Sequence, residues 1–276
     1  MVRTFSVLSA VLVLIGATAA FADPVIGPPT DKSQCMHGGW KTFNNPTFAN
    51  QSECMKYTNK RISSATPSIL DTLPVTYQTI SAANGISFNY TVPTGGTNKE
   101  LVVQFCLGGE RPPTVTQNGV NVPLTLISND SERCYHWYGV LANPTSGTFS
   151  LTWTGSDGGV QVSVMTLQDV DQTSPIDASN VTFVHPPTHA STISTSVTTT
   201  QANDLLLDEA VGSIPGTVQT YGAGQTETHP GSNSDPAGQE SGSYKIGGSA
   251  GLETMTRYFS PDDGGLDLAV IAVKGI

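Results

Sequence analysis

The chain is short of charge, and above all of positive charge: Lys and Arg number 12 in 276 residues, against 22 Asp and Glu. Phosphate backbones are gripped by arrays of basic side chains, so nucleic acid is disfavoured as a partner. Long apolar runs are missing beyond Ala22. A membrane helix needs about 20 consecutive apolar residues, and no membrane span is expected. Neither a zinc-binding His-Glu-x-x-His nor a phosphate loop occurs. These absences remove common enzyme classes. They leave open a glycosidase-like carboxylate pair, because that pairing is spatial rather than sequential.

What is present begins with an export signal. Met1 to Ala22 carries Arg3 as its one charge, an apolar stretch from Val7 to Ile15, and a small-residue exit at Ala20-Phe21-Ala22. That is the form of a cleavable secretory peptide, with Asp23 as the mature start. The expected location is extracellular or periplasmic. In such an oxidising compartment an even cysteine count points to disulfides, here among Cys35, Cys54, Cys106 and Cys134. Charge divides unevenly: residues 23–64 carry a net +2 and residues 65–276 a net −13. The larger part therefore repels polyanions and offers carboxylates to divalent cations.

Residues 23–64 form a small N-terminal module. Asn50-Gln51-Ser52-Glu53 has capping-box spacing, which predicts a helix from about Gln51 to Lys60 with Cys54 in its first turn. A Cys35–Cys54 bond would close a loop of about 20 residues and stabilise it by roughly 3 kcal/mol. A piece this small has too little core to fold without a staple. The positions Cys35, Gly38, Gly39, Trp40, Phe43, Phe48, Asn50, Gln51 and Cys54 resemble a short module of secreted bacterial proteins, Cys-x-x-Gly-Gly-Trp-x-x-Phe followed by Phe-x-Asn-Gln-x-x-Cys. The resemblance implies a secreted bacterial setting and no particular chemistry.

Residues 65–74, with Pro67, Ser68 and Pro74, read as a linker. From Val75 onward, short alternating or apolar runs recur between Gly, Pro, Asn and Asp. The clearest span 75–80, 86–92, 101–107, 134–141, 148–153, 160–170, 192–199, 205–211, 243–246, 253–259 and 266–274. Asn118-Gly119 tolerates the positive φ of a type I′ hairpin turn. Leu266, Leu268, Val270 and Ala272 alternate with Ala269, Ile271 and Val273, so this strand should be central and covered on both faces. Many strands without intervening helices predict a mainly β protein: an antiparallel, jelly-roll-like β-sandwich over residues 75–276 behind the disulfide-stapled module. The segments Val170-Asp171-Gln172-Thr173-Ser174-Pro175-Ile176 and Ala202-Asn203-Asp204-Leu205 resemble those of uncharacterised sandwich domains of bacterial secreted proteins. That likeness implies the same fold and supplies no catalytic residues.

Four groups could carry chemistry. Cys106 and Cys134 lie on neighbouring predicted strands and suit a disulfide, with a metal site or a free nucleophile as the alternatives. Tyr135 and Trp137 share one strand face, opposite Cys134, His136 and Tyr138. Exposed, they would make a stacking platform for sugar; otherwise they fill the core. Asp169, Asp171 and Asp177 cluster near a turn and suit a structural Ca²⁺, although turns are acidic for backbone reasons as well. No organic cofactor is expected. His185, His189 and His229 read as surface loop histidines. These features favour an exported, non-enzymatic protein that binds extracellular glycan or cell-envelope polymer. A secreted polysaccharide-active enzyme and a structural or adhesive surface protein are the alternatives.

Overall fold

The computed structural model describes residues 29, 32–44, 46–62, 65–71, 75–79, 85–108, 112–129, 135–154, 160–214, 217–229 and 239–276. The expected signal segment 1–22 and Cys134 lie outside the described residues. The chain divides into two compact units, Met1–Ile62 and Ser63–Ile276. No described helix is long and apolar enough to cross a membrane.

The first unit is a stapled pair of helical segments. A 3-10 stretch, Lys32–Thr42, is interrupted at Met36–Gly38, where His37 and Gly38 take φ of 50° and 87°. Helix α1 spans Gln51–Ile62. Its cap forms as the spacing predicts: Glu53 N donates to Asn50 Oδ1 at 2.9 Å, while Glu53 Oε2 accepts from Ala49 N at 2.7 Å. Cys35 and Cys54 are bonded. The bond sits in a small core with Phe43 and Phe48, flanked by Trp40, Met55 and Tyr57.

The second unit is all antiparallel β. Its strands are β1 (Ser68–Ile69), β2 (Val75–Thr79), β3 (Gly85–Tyr90), β4 (Glu100–Leu107), β5 (Thr114–Gln117), β6 (Val120–Val122), β7 (Leu124–Asn129), β8 (Tyr135–Ala142), β9 (Gly147–Thr152) and β10 (Val160–Gln168). They continue as β11 (Ile176–Val184), β12 (Ala190–Thr199), β13 (Leu205–Gly212), β14 (Val218–Tyr221), β15 (Thr226–His229), β16 (Gln239–Ile246), β17 (Gly251–Asp263) and β18 (Leu266–Val273). Within the expected linker, Ser68 and Ile69 pair with Gln168 and Leu167 as β1, and Asp71 accepts from Thr166 N.

The expected mainly β, antiparallel architecture is present, and it divides into four sheets. The first inner sheet runs β10–β4–β8–β7, with β1 and β2 on the free edge of β10; the first outer sheet runs β3–β9–β5–β6. The second inner sheet runs β11–β18–β13–β16–β15, and the second outer sheet runs β12–β17–β14. Strand alternation sends each inner sheet's side chains into two cores. Leu101, Val103, Phe105 and Leu107 of β4 join Phe149 and Leu151 of β9 in one core. Leu266, Leu268, Val270 and Ala272 of β18 join Met255 and Phe259 of β17 in another. Between the inner sheets, Val102, Met165 and Leu167 meet Leu205, Leu207, Ile271 and Val273. The layers therefore stack outer, inner, inner, outer. Strand β18 is buried throughout, as its double alternation predicts.

Apart from β1 and β6, the two halves repeat one another strand for strand. The order β2–β10–β4–β8–β7 matches β11–β18–β13–β16–β15, and β3–β9–β5 matches β12–β17–β14. Registers match too: Glu100↔Ala142 to Leu107↔Tyr135 in one half correspond to Leu205↔Ile246 to Gly212↔Gln239 in the other. Asn98 and Asn203, each just before its central strand, both take positive φ, 45° and 63°. Side-chain identities hardly repeat, so only backbone pairing reveals the duplication.

Candidate functional site

Tyr135 and Trp137 do share a face, and that face is the core. Tyr135 is 6% exposed, and Trp137 packs on the first core opposite Phe105. Trp137 packs against the cluster that holds Phe149 and Leu151 of the first outer sheet, and with Tyr135 buried the two rings form no open platform. His136 points the other way, between the inner sheets, from the register position beside Cys106. Cys106 is disulfide-bonded.

His136 ties the halves together. Its Nε2 lies 3.4 Å from Asp267 Oδ2 and its Nδ1 lies 3.8 Å from Glu209 Oε2. Burial opposes the imidazolium, yet the two carboxylates outweigh it and raise the pKa to about 9. All three side chains are essentially inaccessible, so no reactant meets them. The arrangement is a buried ionic latch from the first inner sheet to the second.

A second buried network lies between the second inner and second outer sheets. The Arg257 guanidinium donates to Asp208 Oδ1 and sits 4.1 Å over the Tyr221 ring. Tyr221 Oη donates to Glu227 Oε2 at 2.8 Å. Asp208 also accepts from Ser243 N at 2.7 Å. Burial pushes the Asp208 carboxyl up, and Arg257 pulls against it. His229, expected on a surface loop, ends β15 buried; burial, then the charge of Arg257, hold its pKa down to about 4. His189 is exposed and His185 half-buried.

The acidic balance is thus partly internal, with Glu100, Asp204, Asp208, Glu209, Glu240, Asp263 and Asp267 all buried. Burial lifts Glu100 to about 7. Burial and the neighbouring Asp177 carboxylate lift Asp204 to about 8. The three aspartates proposed for Ca²⁺ are engaged separately. Asp169 accepts from Thr97 Oγ1 at 2.7 Å, and Asp171 accepts from Thr173 N at 2.8 Å. Asp177 accepts from Thr200 Oγ1 at 2.6 Å. Among the described residues, no three His, Cys, Asp or Glu side chains gather closely enough to hold a metal ion. Asp171 thus organises the turn before β11, and Asp177 ties β11 to Thr200 beyond the end of β12.

Gly247-Gly248-Ser249-Ala250-Gly251 has the Gly-x-Ser-x-Gly spacing of a hydrolase nucleophile. That motif works only at a strand-to-helix turn, whereas here it links antiparallel β16 and β17. It supplies no nucleophile elbow.

Among the described residues, the outer face of the second outer sheet is accessible. Thr192, Ser194, Ser196 and Thr198 of β12 point outward beside Tyr258, Thr256, Thr254 and Leu252 of β17. Strand β14 adds Thr220 beside Tyr258 and Val218 beside Ser260. None of these outward residues is charged. Ser194 and Thr256 share a hydrogen bond of 2.8 Å, as do Ser196 and Thr254. Each bonded hydroxyl pair retains lone pairs and a donor for a ligand. Tyr258 is 45% exposed at the centre of the face, with Leu252 at 73% and Val218 at 63%. The period-two Thr/Ser pattern from Thr192 to Thr198 was the available signal, overshadowed by the denser aromatic cluster near Tyr135. The chain matches no family model, no curated protein and no solved structure.

Proposed function

We propose that this chain is an exported, non-enzymatic protein that binds a neutral extracellular glycan or cell-envelope polymer on the outer face of the sheet β12–β17–β14. The observation that carries the reading is the absence of charge there: hydroxyls and one central tyrosine, in a unit whose net charge is −13. The surrounding acidity repels polyanions. The hydroxyl rows, about 4.8 Å apart across strands and about 6.8 Å apart along them, offer repeated bonds to a polymer of hydroxyls. The Tyr258 ring supplies stacking area.

The test is co-sedimentation of purified protein with insoluble cellulose, chitin and β-1,3-glucan, with pectate as the acidic control. Retention on a neutral polymer is expected and retention on pectate is not. Tyr258→Thr keeps the strand preference and the hydroxyl but removes the ring, and should weaken retention about 5-fold, the equivalent of about 1 kcal/mol of stacking. Passage of the wild type unretained, or indifference to Tyr258→Thr, would overturn the reading. Release of soluble sugar from the polymer would overturn the non-enzymatic part.

A further inference from the structure

We infer that β17 carries an open strand edge that docks an extended segment of a partner polypeptide, adding a strand to the second outer sheet in line with β14. On one side, β12 pairs with β17 from Gly251 to Tyr258. On the other side, β14 covers only Arg257 to Ser260. The turn after β14 reaches one residue further: Gly222 N donates to Thr256 O at 3.0 Å, and Thr256 N donates to Gln225 Oε1 at 2.8 Å. In an antiparallel strand, the backbone groups of alternate residues face the same neighbour. Leu252 and Thr254 therefore turn their N–H and C=O groups to the same side as Thr256. Among the described residues, nothing pairs with those groups there. Both residues are exposed, Leu252 at 73%.

The duplication identifies the occupant of such an edge. Gly147 opens β9 and Gly251 opens β17, each at positive φ, 155° and 145°. Each stands opposite the last residue of its neighbour, Tyr90 in one half and Thr199 in the other. Thr148, Ser150 and Thr152 thus correspond to Leu252, Thr254 and Thr256. In the first half β5 runs along that segment, from Thr114↔Thr152 to Gln117↔Phe149, and Asn118 N donates to Thr148 O at 2.8 Å. In the second half β14 lies further along, and no described residue takes the places of Val115 to Asn118. The open groups recur about every 6.8 Å, a spacing that a peptide backbone matches donor for acceptor. Leu252 and Thr254 present uncharged side chains outward, while Glu253 beneath them is already paired with Lys245 Nζ at 2.9 Å. An uncharged segment fits this edge as the Thr-Val-Thr-Gln of β5 fits β9. An acidic segment, or a second copy of the chain, meets the net −13 of residues 65–276 and is repelled.

Amide exchange and peptide binding test this edge on the whole chain. Hydrogen–deuterium exchange read by NMR should show the Leu252 and Thr254 amides exchanging freely, and that of Met255, which faces β12, protected. The probe is a fluorescent peptide, Lys-Thr-Val-Thr-Gln-Val-Thr-Lys, built on the β5 sequence with basic ends. Its control is the same peptide N-methylated along the backbone. The protein should be monomeric by light scattering, bind the probe and not the control, and gain about 10-fold protection at Leu252 and Thr254. L252P and T254P each remove a donor from the open edge and none from the β12 ladder, and should weaken probe binding at least about 10-fold. Protection of both amides in the free protein, absence of probe binding, equal binding of the control, or full binding by both proline variants would overturn the inference. A dimer whose formation protects these amides would overturn the choice of a partner polypeptide. Each of these results leaves polysaccharide retention by the outward face standing.

Discussion

The latch between the halves makes a specific demand on stability as a function of pH. His136 has a pKa of about 9 in the folded chain, against about 6.5 for an unperturbed histidine. A folded-state pKa above the unfolded one means that the native protein binds the extra proton more tightly. Its stabilisation is complete below about pH 6.5 and is lost as pH rises through about 9. At about 1.4 kcal/mol per pKa unit the loss is of the order of 3 kcal/mol. Glu100, at about 7, and Asp204, at about 8, act in the same direction: each prefers its proton when folded, so stability falls as pH rises through those values. His229, at about 4, opposes them, but only below about pH 6.5, where its depressed pKa makes acid destabilising. Between pH 6.5 and 9 the four groups therefore give a net loss, since His229 adds back only a few tenths of a kcal/mol just above pH 6.5. Urea unfolding followed by intrinsic fluorescence at pH 6.5, 7.5 and 9 reads this directly. With a slope of roughly 3 kcal/mol per molar urea, the His136 contribution alone lowers the midpoint by about 1 M. His136→Gln should lower the midpoint at pH 6.5 and flatten the remaining dependence. A midpoint that is constant or rising from pH 6.5 to 9, or an unchanged slope in His136→Gln, would refute the assignment of a charged latch.

The pair Arg257–Asp208 is buried on both sides, so Arg257→Met should destabilise the second unit by about 3–5 kcal/mol, because it strands a buried carboxylate. Arg257→Met with Asp208→Leu should recover much of that loss; additive losses in urea unfolding would contradict the pairing. In the first unit, a Cβ at position 39 would clash with the Gln34 carbonyl oxygen. Gly39→Ala should therefore disrupt the segment around Trp40, read as faster proteolysis within residues 32–62, while the β unit keeps its unfolding midpoint.

The elements legible in the sequence are those whose instructions are local. Asn50 and Glu53 cap α1, Asn118-Gly119 turns β5 into β6, and the double alternation of residues 266–273 marks a strand covered on both faces. Strand β11 was missed because Asp177, Asn180 and Thr182 interrupt its apolar positions. Strand β15 was missed because Thr226-Glu227-Thr228-His229 carries no apolar residue at all. The four-layer stack was not legible because Asp208 and Glu209, charged residues on β13, are buried between layers. Their burial is made tolerable by Arg257 and His136, remote in sequence and aligned only by sheet pairing. The Tyr135/Trp137 face was correctly separated from the His136 face. Which of the two met another sheet depended on the layer order, and no residue near Tyr135 encodes it.

The most direct trial sets two aromatic residues against each other in one experiment, thermal unfolding and polysaccharide retention of Trp137→Ala and Tyr258→Thr. Trp137 packs half-buried against the core, so its truncation should cost about 3 kcal/mol, the low end for an aromatic-to-Ala change, and leave retention per folded molecule unchanged. Tyr258→Thr should lose retention at an unaltered unfolding temperature. The reverse outcome, with Trp137→Ala folding normally and failing to bind, would place the working surface on β8 and contradict the account.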